Sequence, residues 1–254
     1  MNRNAIIGAV AVVAIGAGVY WFWPKEAAPP PSPEPVPVVT PPPPPADHPV
    51  PDADVSTMPL PDVDDSDATM LEAAKSLTDR SAIEQWLIPT SIVRHIVATV
   101  DNLPRKKYAE RQKPIKPIPG RFAVDGPDTA PVLAAGNAAR YAPFVKAVQG
   151  IDMPALAKEY FRLYPLFQRA YRDLGYPDAY FNNRLVEAID DLLAAPRIEG
   201  PIKLTRPNVL YEYADSNLEN LSAGQKIMIR MGANNADAIK VKLRELRAAV
   251  ANGR

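Results

Sequence analysis

The chain has no cysteine and only two histidines, His48 and His95, among its 254 residues. Without cysteine there is no disulfide, no thiol nucleophile, no zinc finger and no iron–sulfur ligation. Two histidines cannot build a multi-histidine metal site within one chain. A Ser–His–acid triad would have to use His95, because His48 lies in a proline-rich tract. A structural histidine is the simpler reading of His95. The patterns G-x-x-x-x-G-K-[ST], G-x-G-x-x-G and G-x-S-x-G are also missing, so nucleotide and serine-hydrolase chemistry lack support. No cofactor and no metal are expected.

Net charge is missing too, with 29 Lys+Arg against 29 Asp+Glu. That balance conceals a division along the chain. Residues 24–70 hold nine acids against Lys25, whereas residues 71–254 hold 20 acids against 27 bases. The functional reading is a basic domain that binds something anionic, with an acidic tether competing for it. The plainer reading is a solvated tether that resists collapse.

What is present begins with an apolar run. Ala5–Trp23 is 19 uncharged residues, ~28 Å of helix against a hydrocarbon core of ~30 Å. Only a helix satisfies its own backbone there, and Tyr20-Trp21-Phe22-Trp23 suits the membrane–water interface. Arg3 precedes the run, and Lys25 after it is followed by Glu26 and further acids. The expected topology is a cytoplasmic N-terminus (residues 1–4), a signal-anchor (5–23) and everything later outside the cytoplasm. The alternative is a cleaved signal peptide, with Gly16-Ala17-Gly18 as the small-x-small site.

From Pro24 to Pro61 there are 16 of the chain's 30 prolines. Such a tract lacks the apolar content to offset ordering, so residues 24–67 are expected to be a disordered acidic linker with polyproline II character. Residues 68–254 are expected to form one globular domain, mainly α (α+β), with a small antiparallel sheet of two or three strands beside a compact helical body.

Ser81 and Glu84 form a capping-box pattern, and Ile92, Ile96, Val100 and Leu103 mark the next helix. The longest helical stripe is Leu156, Tyr160, Leu163, Phe167, Tyr171 and Leu174. Pro165 inside it predicts a kink at Leu163–Tyr164. Pro177 predicts a restart carrying Phe181, Leu185 and Ile189. Ser222 with Gln225 is a second capping box, and Asn234 is the expected cap of the final helix. The segments 121–124, 202–206 and 209–213 are the strand candidates.

Several runs stand in an order that resembles a known family: Val100-Asp101-Asn102-Leu103-Pro104, Arg140–Phe144, Tyr164–Gln168, Leu174-Gly175-Tyr176-Pro177, Tyr180–Leu185, Tyr211–Asp215 and Leu221–Lys226. Together, over residues ~70–249, they are similar to the proteobacterial family filed as domain of unknown function 3014. The resemblance implies an N-terminal anchor with a Pro-rich stretch and a Gram-negative inner membrane, hence a periplasmic domain. It implies no activity and no site residues.

Tyrosine supplies the remaining candidates, eight of ten lying between Tyr141 and Tyr213. Tyr164, Tyr176, Tyr180, Asn182, Asn183 and Arg184 would line a groove for glycan or peptide chains, rings stacking and amides hydrogen-bonding. The segment Arg105–Lys116, with Arg105, Lys106, Lys107, Arg111, Lys113 and Lys116, would meet anionic lipid headgroups or wall polymers. Nucleic acid is not an expected partner, because Tyr108 is its one stacking platform. The expected function is a tethered module that binds or scaffolds an envelope protein or wall polymer. The alternative is a cell-wall hydrolase using carboxylates such as Glu159, Asp173, Glu187, Asp190 and Asp191. Sequence does not give the oligomeric state.

Overall fold

Apolar spacing and the positions of proline decide where the helices begin and end. The computed structural model of the chain describes residues 45–106 and 112–251. The expected transmembrane segment 5–23, linker residues 24–44, and Lys107 and Arg111 lie outside the described residues. Among the described residues no helix is long and apolar enough to cross a membrane. These residues form ten α-helices and four short strands. In chain order they are α1 (Asp67–Leu77), α2 (Arg80–Trp86), α3 (Ile92–Asn102), β1 (Val124–Asp125), β2 (Val132–Leu133), α4 (Gly136–Gln149) and α5 (Met153–Arg162). Then come α6 (Tyr164–Asp173), α7 (Phe181–Leu193), β3 (Leu204–Thr205), β4 (Glu212–Tyr213), α8 (Ser216–Glu219), α9 (Ala223–Arg230) and α10 (Ala233–Ala251).

The long stripe breaks where Pro165 requires. Leu163 leaves helical geometry between α5 and α6, and Pro165 falls in the first turn of α6, where a missing N–H costs nothing. Leu163 stays 1% exposed, so the break keeps the apolar face turned inward. Pro177 does not restart a helix. Instead α7 opens at Phe181, whose N–H donates to Gln168 Oε1 (2.9 Å), while Gln168 Nε2 donates to the Ala179 carbonyl (2.7 Å). A buried side chain on α6 thus replaces a local cap.

The two capping boxes differ. Ser81 lies inside α2, which starts at Arg80, and Glu84 pairs with Arg80 rather than with a cap. Ser222 does cap α9, its Oγ accepting from the Gln225 N–H (3.0 Å). The next two amides of α9 find partners at the end of α3: Ala223 N–H donates to the Arg105 carbonyl (2.7 Å) and Gly224 N–H to the Leu103 carbonyl (2.9 Å). This approach favours glycine, since a Cβ at 224 would lie 2.8 Å from Leu192 Cδ2 and 3.1 Å from the Leu103 oxygen, and both would have to give way. Nor does Asn234 cap the last helix, which begins at Ala233 directly after Gly232 at φ +85°.

The main core is formed by α3, α6 and α7. Val93, Val97, Leu163, Leu166 and Phe181 are almost fully buried. The Phe167 and Phe181 rings stack at 5.7 Å, with Tyr171 tilted 5.6 Å from Phe181. Helix α10 packs across α4, α5 and α7 and buries Val250 completely. In place of one sheet there are two antiparallel ladders, Val124 opposite Leu133 and Leu204 opposite Tyr213. An isolated Val132–Lys203 bridge links them. The expected segments contain or end on β1, β3 and β4. β2 follows Pro131 with no alternating run to announce it.

The expectation of a disordered linker through residue 67 is corrected for residues 45–67, which pack on the helical body as a strap. Val63 is 5% exposed, Ser66 is fully buried, and Val50 and Leu60 join core clusters. The strap is held by polar bonds as well. Ser56 N–H donates to the Arg162 carbonyl (3.2 Å), and Asp67 accepts the N–H groups of Ser91 and Ile92 (both 2.8 Å). Asp62 pairs with Arg169 and Asp64 with Arg94. The strap's acids bring residues 45–254 to 27 acids and 27 bases, so the folded unit is neutral. The segment read as an acidic tether is, over this half, the counter-charge of the domain.

The strap's ion pairing carries a pH dependence. Its hydrogen bond from Arg94 holds the Asp64 carboxyl below its ordinary 3.8. A depressed carboxyl stabilises the fold above the unfolded-state value, and that contribution disappears as pH falls through the lower folded-state value. Acidification from about pH 5 to about pH 2 is therefore expected to lower the protection of amides in residues 60–66, measured against the intrinsic exchange rate at each pH, before the α6–α7 core opens. High salt at neutral pH should mimic the effect weakly. Strap amides exchanging in step with the core across that range would remove Asp64 from the account.

Candidate functional site

The C-terminal end of α3 places a carboxylate at the edge of the core. Asp101 continues the buried line Val93–Val97 by one more helical step and is 5% exposed. Burying a charge there requires partners. Arg184 from α7 supplies Nε to Asp101 Oδ1 (3.2 Å) and Nη2 to its backbone carbonyl. Arg105, beyond the helix end, brings Nη2 to Oδ2 (3.0 Å) and to the Tyr176 hydroxyl (2.6 Å). Arg184 also pairs with Glu187 (2.6 Å). The result is a small network joining α3, the loop after α6, and α7.

An open groove of about 740 Å³ lies over this network. Pro45, Asp47 and His48 of the strap form one wall; Tyr176, Asp178 and Tyr180 of the loop after α6 form another. Asn183, Arg184, Glu187 and Asp190 on one side of α7 make the floor. Tyr176 stacks on Tyr171 at 4.6 Å and 21°, giving an aromatic shelf. Burial pushes the Tyr171 phenol up to about 12, so it stays neutral. The groove contains five acids (Asp47, Asp101, Asp178, Glu187 and Asp190) against Arg105, Arg184 and His48. Both arginines are engaged with carboxylates of the protein itself. Asp190 is paired with Arg247 of α10, whose hydrogen bond holds that carboxyl below its ordinary value.

Four of the six tyrosine-groove candidates therefore meet: Tyr176, Tyr180, Asn183 and Arg184. Two do not. Tyr164 is half-buried and donates to Gln168 Oε1 (2.7 Å), which steadies the loop from behind. Asn182 is wholly buried and faces the strap: Nδ2 donates to the His48 (2.9 Å) and Val250 (3.0 Å) carbonyls, and Oδ1 accepts from the Tyr160 hydroxyl (3.0 Å). Two neighbouring amides thus serve different ends, since Asn183 accepts the His48 N–H (2.9 Å) at the groove's edge.

The described members of the basic segment engage separate neighbours. Arg105 belongs to the groove, Lys106 reaches Asn220 (3.1 Å) and Lys116 donates to the Glu84 carbonyl (2.5 Å). Lys113 has a partner of its own. Among the carboxylates proposed for hydrolysis, Glu159 is paired with Arg162 and Asp173 with Arg94. Burial holds Asp191 above its ordinary value, but its Oδ2 accepts the Ser222 hydroxyl (2.6 Å) under the start of α9. Among the described residues no group of three or more His, Asp or Glu could hold a metal ion.

Asp101 was not singled out from sequence, although it sits in a run that carries the family resemblance. The available signal was an acid on the Val93–Val97 face. The strap residues Asp47 and His48 had no signal, because proline-rich composition argued against order. Several of the family-resembling runs converge here: Val100–Pro104, Leu174–Pro177 and Tyr180–Leu185 build the network, and Leu221–Lys226 docks beside it. The family described as protein of unknown function (DUF3014) matches residues 92–247. No curated protein and no solved structure matches the chain.

Proposed function

The chain belongs to the DUF3014 family, and from that premise we propose that it is a membrane-tethered binding module of the bacterial envelope. In this reading residues 5–23 anchor it in the inner membrane and the folded unit stands in the periplasm. The observation that supports binding is the open groove in which Tyr176, Tyr180, Asn183 and Arg184 meet over the Asp101 network. A shallow, aromatic-shelved groove with a fixed polar floor suits an extended polymer: rings stack along its face and amides read its hydrogen bonds. Because the arginines are already paired and carboxylates outnumber them, the groove favours a neutral or cationic polymer such as a peptide segment over a polyanion. The charge argument for an anionic partner loses its basis once the strap neutralises the domain.

The absence of cysteine makes the test simple. Asp178→Cys, on the exposed rim, provides a single crosslinking site in the full chain, and Val241→Cys on the outer face of α10 provides the control. Capture of one discrete partner from position 178 and not from 241 is the expected outcome. Equal capture from both positions would overturn the groove assignment. Cleavage of a captured wall fragment would replace the binding reading with the hydrolase.

A further inference from the structure

Away from the groove, the loop between β3 and β4 carries apolar side chains that nothing among the described residues covers. Val209 and Leu210 are 78% and 75% exposed, and Phe122 beside them is 42% exposed. These residues form one tip. The Phe122 and Tyr211 rings lie 6.1 Å apart, the Arg206 guanidinium sits 5.3 Å over the Tyr211 ring, and Arg206 Nε donates to the Val209 carbonyl (3.2 Å). Arg206 is thus held at the base of two projecting aliphatic side chains. Two arginines belong to the tip itself: Arg121 adjoins Phe122, and Arg206 lies at the base of the loop. The flanking acids Asp125 and Glu212 lie on β1 and β4, Glu212 opposite Thr205, rather than in the loop.

We propose that the Arg206–Tyr211 loop, with Phe122, is a bilayer-contact tip that inserts Val209 and Leu210 into an anionic phospholipid surface. Adjacent aliphatic side chains enter the acyl boundary, aromatic rings rest at headgroup level, and arginine meets lipid phosphate. The charged residues within the tip, Arg121 and Arg206, are both cationic, and arginine beside projecting aliphatic side chains complements an anionic membrane. This inference rests on the tether proposed above. With the strap beginning at residue 45, at most 21 residues separate Trp23 from the folded unit, which is at most roughly 75 Å of chain. A second, weak contact with the same surface would therefore act at high effective concentration and orient the groove.

The test uses the full chain with Leu210→Cys, the only cysteine, carrying an environment-sensitive fluorophore. Val241→Cys is labelled as the control. Each is mixed with vesicles of phosphatidylcholine, or of phosphatidylcholine with phosphatidylglycerol. A blue shift and quenching by lipid-borne quencher are expected at 210 on the anionic vesicles alone, with no change at 241. Val209→Asp or Arg206→Glu in the labelled chain should remove most of the shift. Both changes fall on exposed side chains and should leave the fold intact, as circular dichroism would check. Identical emission at 210 and 241 on anionic vesicles refutes the tip. A shift at 210 that requires added envelope protein assigns the tip to a protein partner instead and also refutes it. Flotation of the labelled chain with both kinds of vesicle reports the anchor separately, so either idea can fail without the other.

Discussion

Asp101→Asn is expected to lower the free energy of unfolding by about 3 kcal/mol, the low end of the cost of breaking a buried ion pair. The carboxylate is nearly enclosed and meets two guanidiniums and the Tyr176 hydroxyl. Asparagine keeps the volume but removes the charge that compensates Arg184, whose side chain is 14% exposed. Two features keep the cost from being larger: Glu187 still pairs with Arg184, and Arg105 is half exposed and can turn to water. The loss has a structural counterpart, because Arg105 also holds Tyr176 through its hydroxyl. Urea denaturation should report the lost stability. Amide exchange in residues 175–180 should rise more than exchange in α10. A change within about 0.5 kcal/mol, the range of an ordinary surface substitution, would show that Asp101 is not the network's centre.

Asn182→Ala is expected to cost a similar amount, about 3 kcal/mol, by a different route. It leaves the His48 and Val250 carbonyls and the Tyr160 hydroxyl without their partner in a buried site, at about 1 kcal/mol or more each. Because one of those bonds holds the strap, residues 45–56 should become the first site of proteolysis. Asn183→Ala is the contrast: it loses the His48 N–H bond and the bond from Nδ2 to Asp47 Oδ2 (3.2 Å), both at the solvent edge, where water replaces them, and should cost under about 1 kcal/mol. Proteolysis of the strap in Asn182→Ala at the wild-type rate would mean that the strap is not held through Asn182.

Local rules made the helices legible. Pro165 marked its break, Ser222 its cap, and the 3.6-residue spacing of Phe167, Tyr171, Phe181 and Ile189 the core. The misjudged boundaries were those where a distant group satisfies a helix end. Gln168 starts α7 from another helix, so Pro177 misled, and α9 rests its first amides on α3. Composition misjudged the strap, since Val50, Leu60, Val63 and Ser66 are few among prolines and acids and find burial only in a surface made elsewhere. The candidate site was legible as residue types in one loop and one helix turn. Its centre was not, because Asp101 acquires its partners from positions 83 residues away as well as four. Helical spacing also separates neighbours, which is why Asn182 turns inward while Asn183 and Arg184 face the groove.

The strap also alters the account of charge. An acidic tether and a basic domain become one neutral unit, and what remains before residue 45 is short. If the tether acts as proposed, the groove works within tens of ångströms of the membrane rather than ~130 Å away, the reach of a 43-residue polyproline linker.

The most direct test of the groove is capture by Tyr180→Ala in the full-length chain carrying the crosslinker at position 178. Tyr180 lies on the groove wall without belonging to the Asp101 network, so unfolding should shift by less than about 1 kcal/mol. The account predicts that this variant loses capture at least tenfold while remaining folded. Capture at the wild-type level by a folded Tyr180→Ala chain would contradict it.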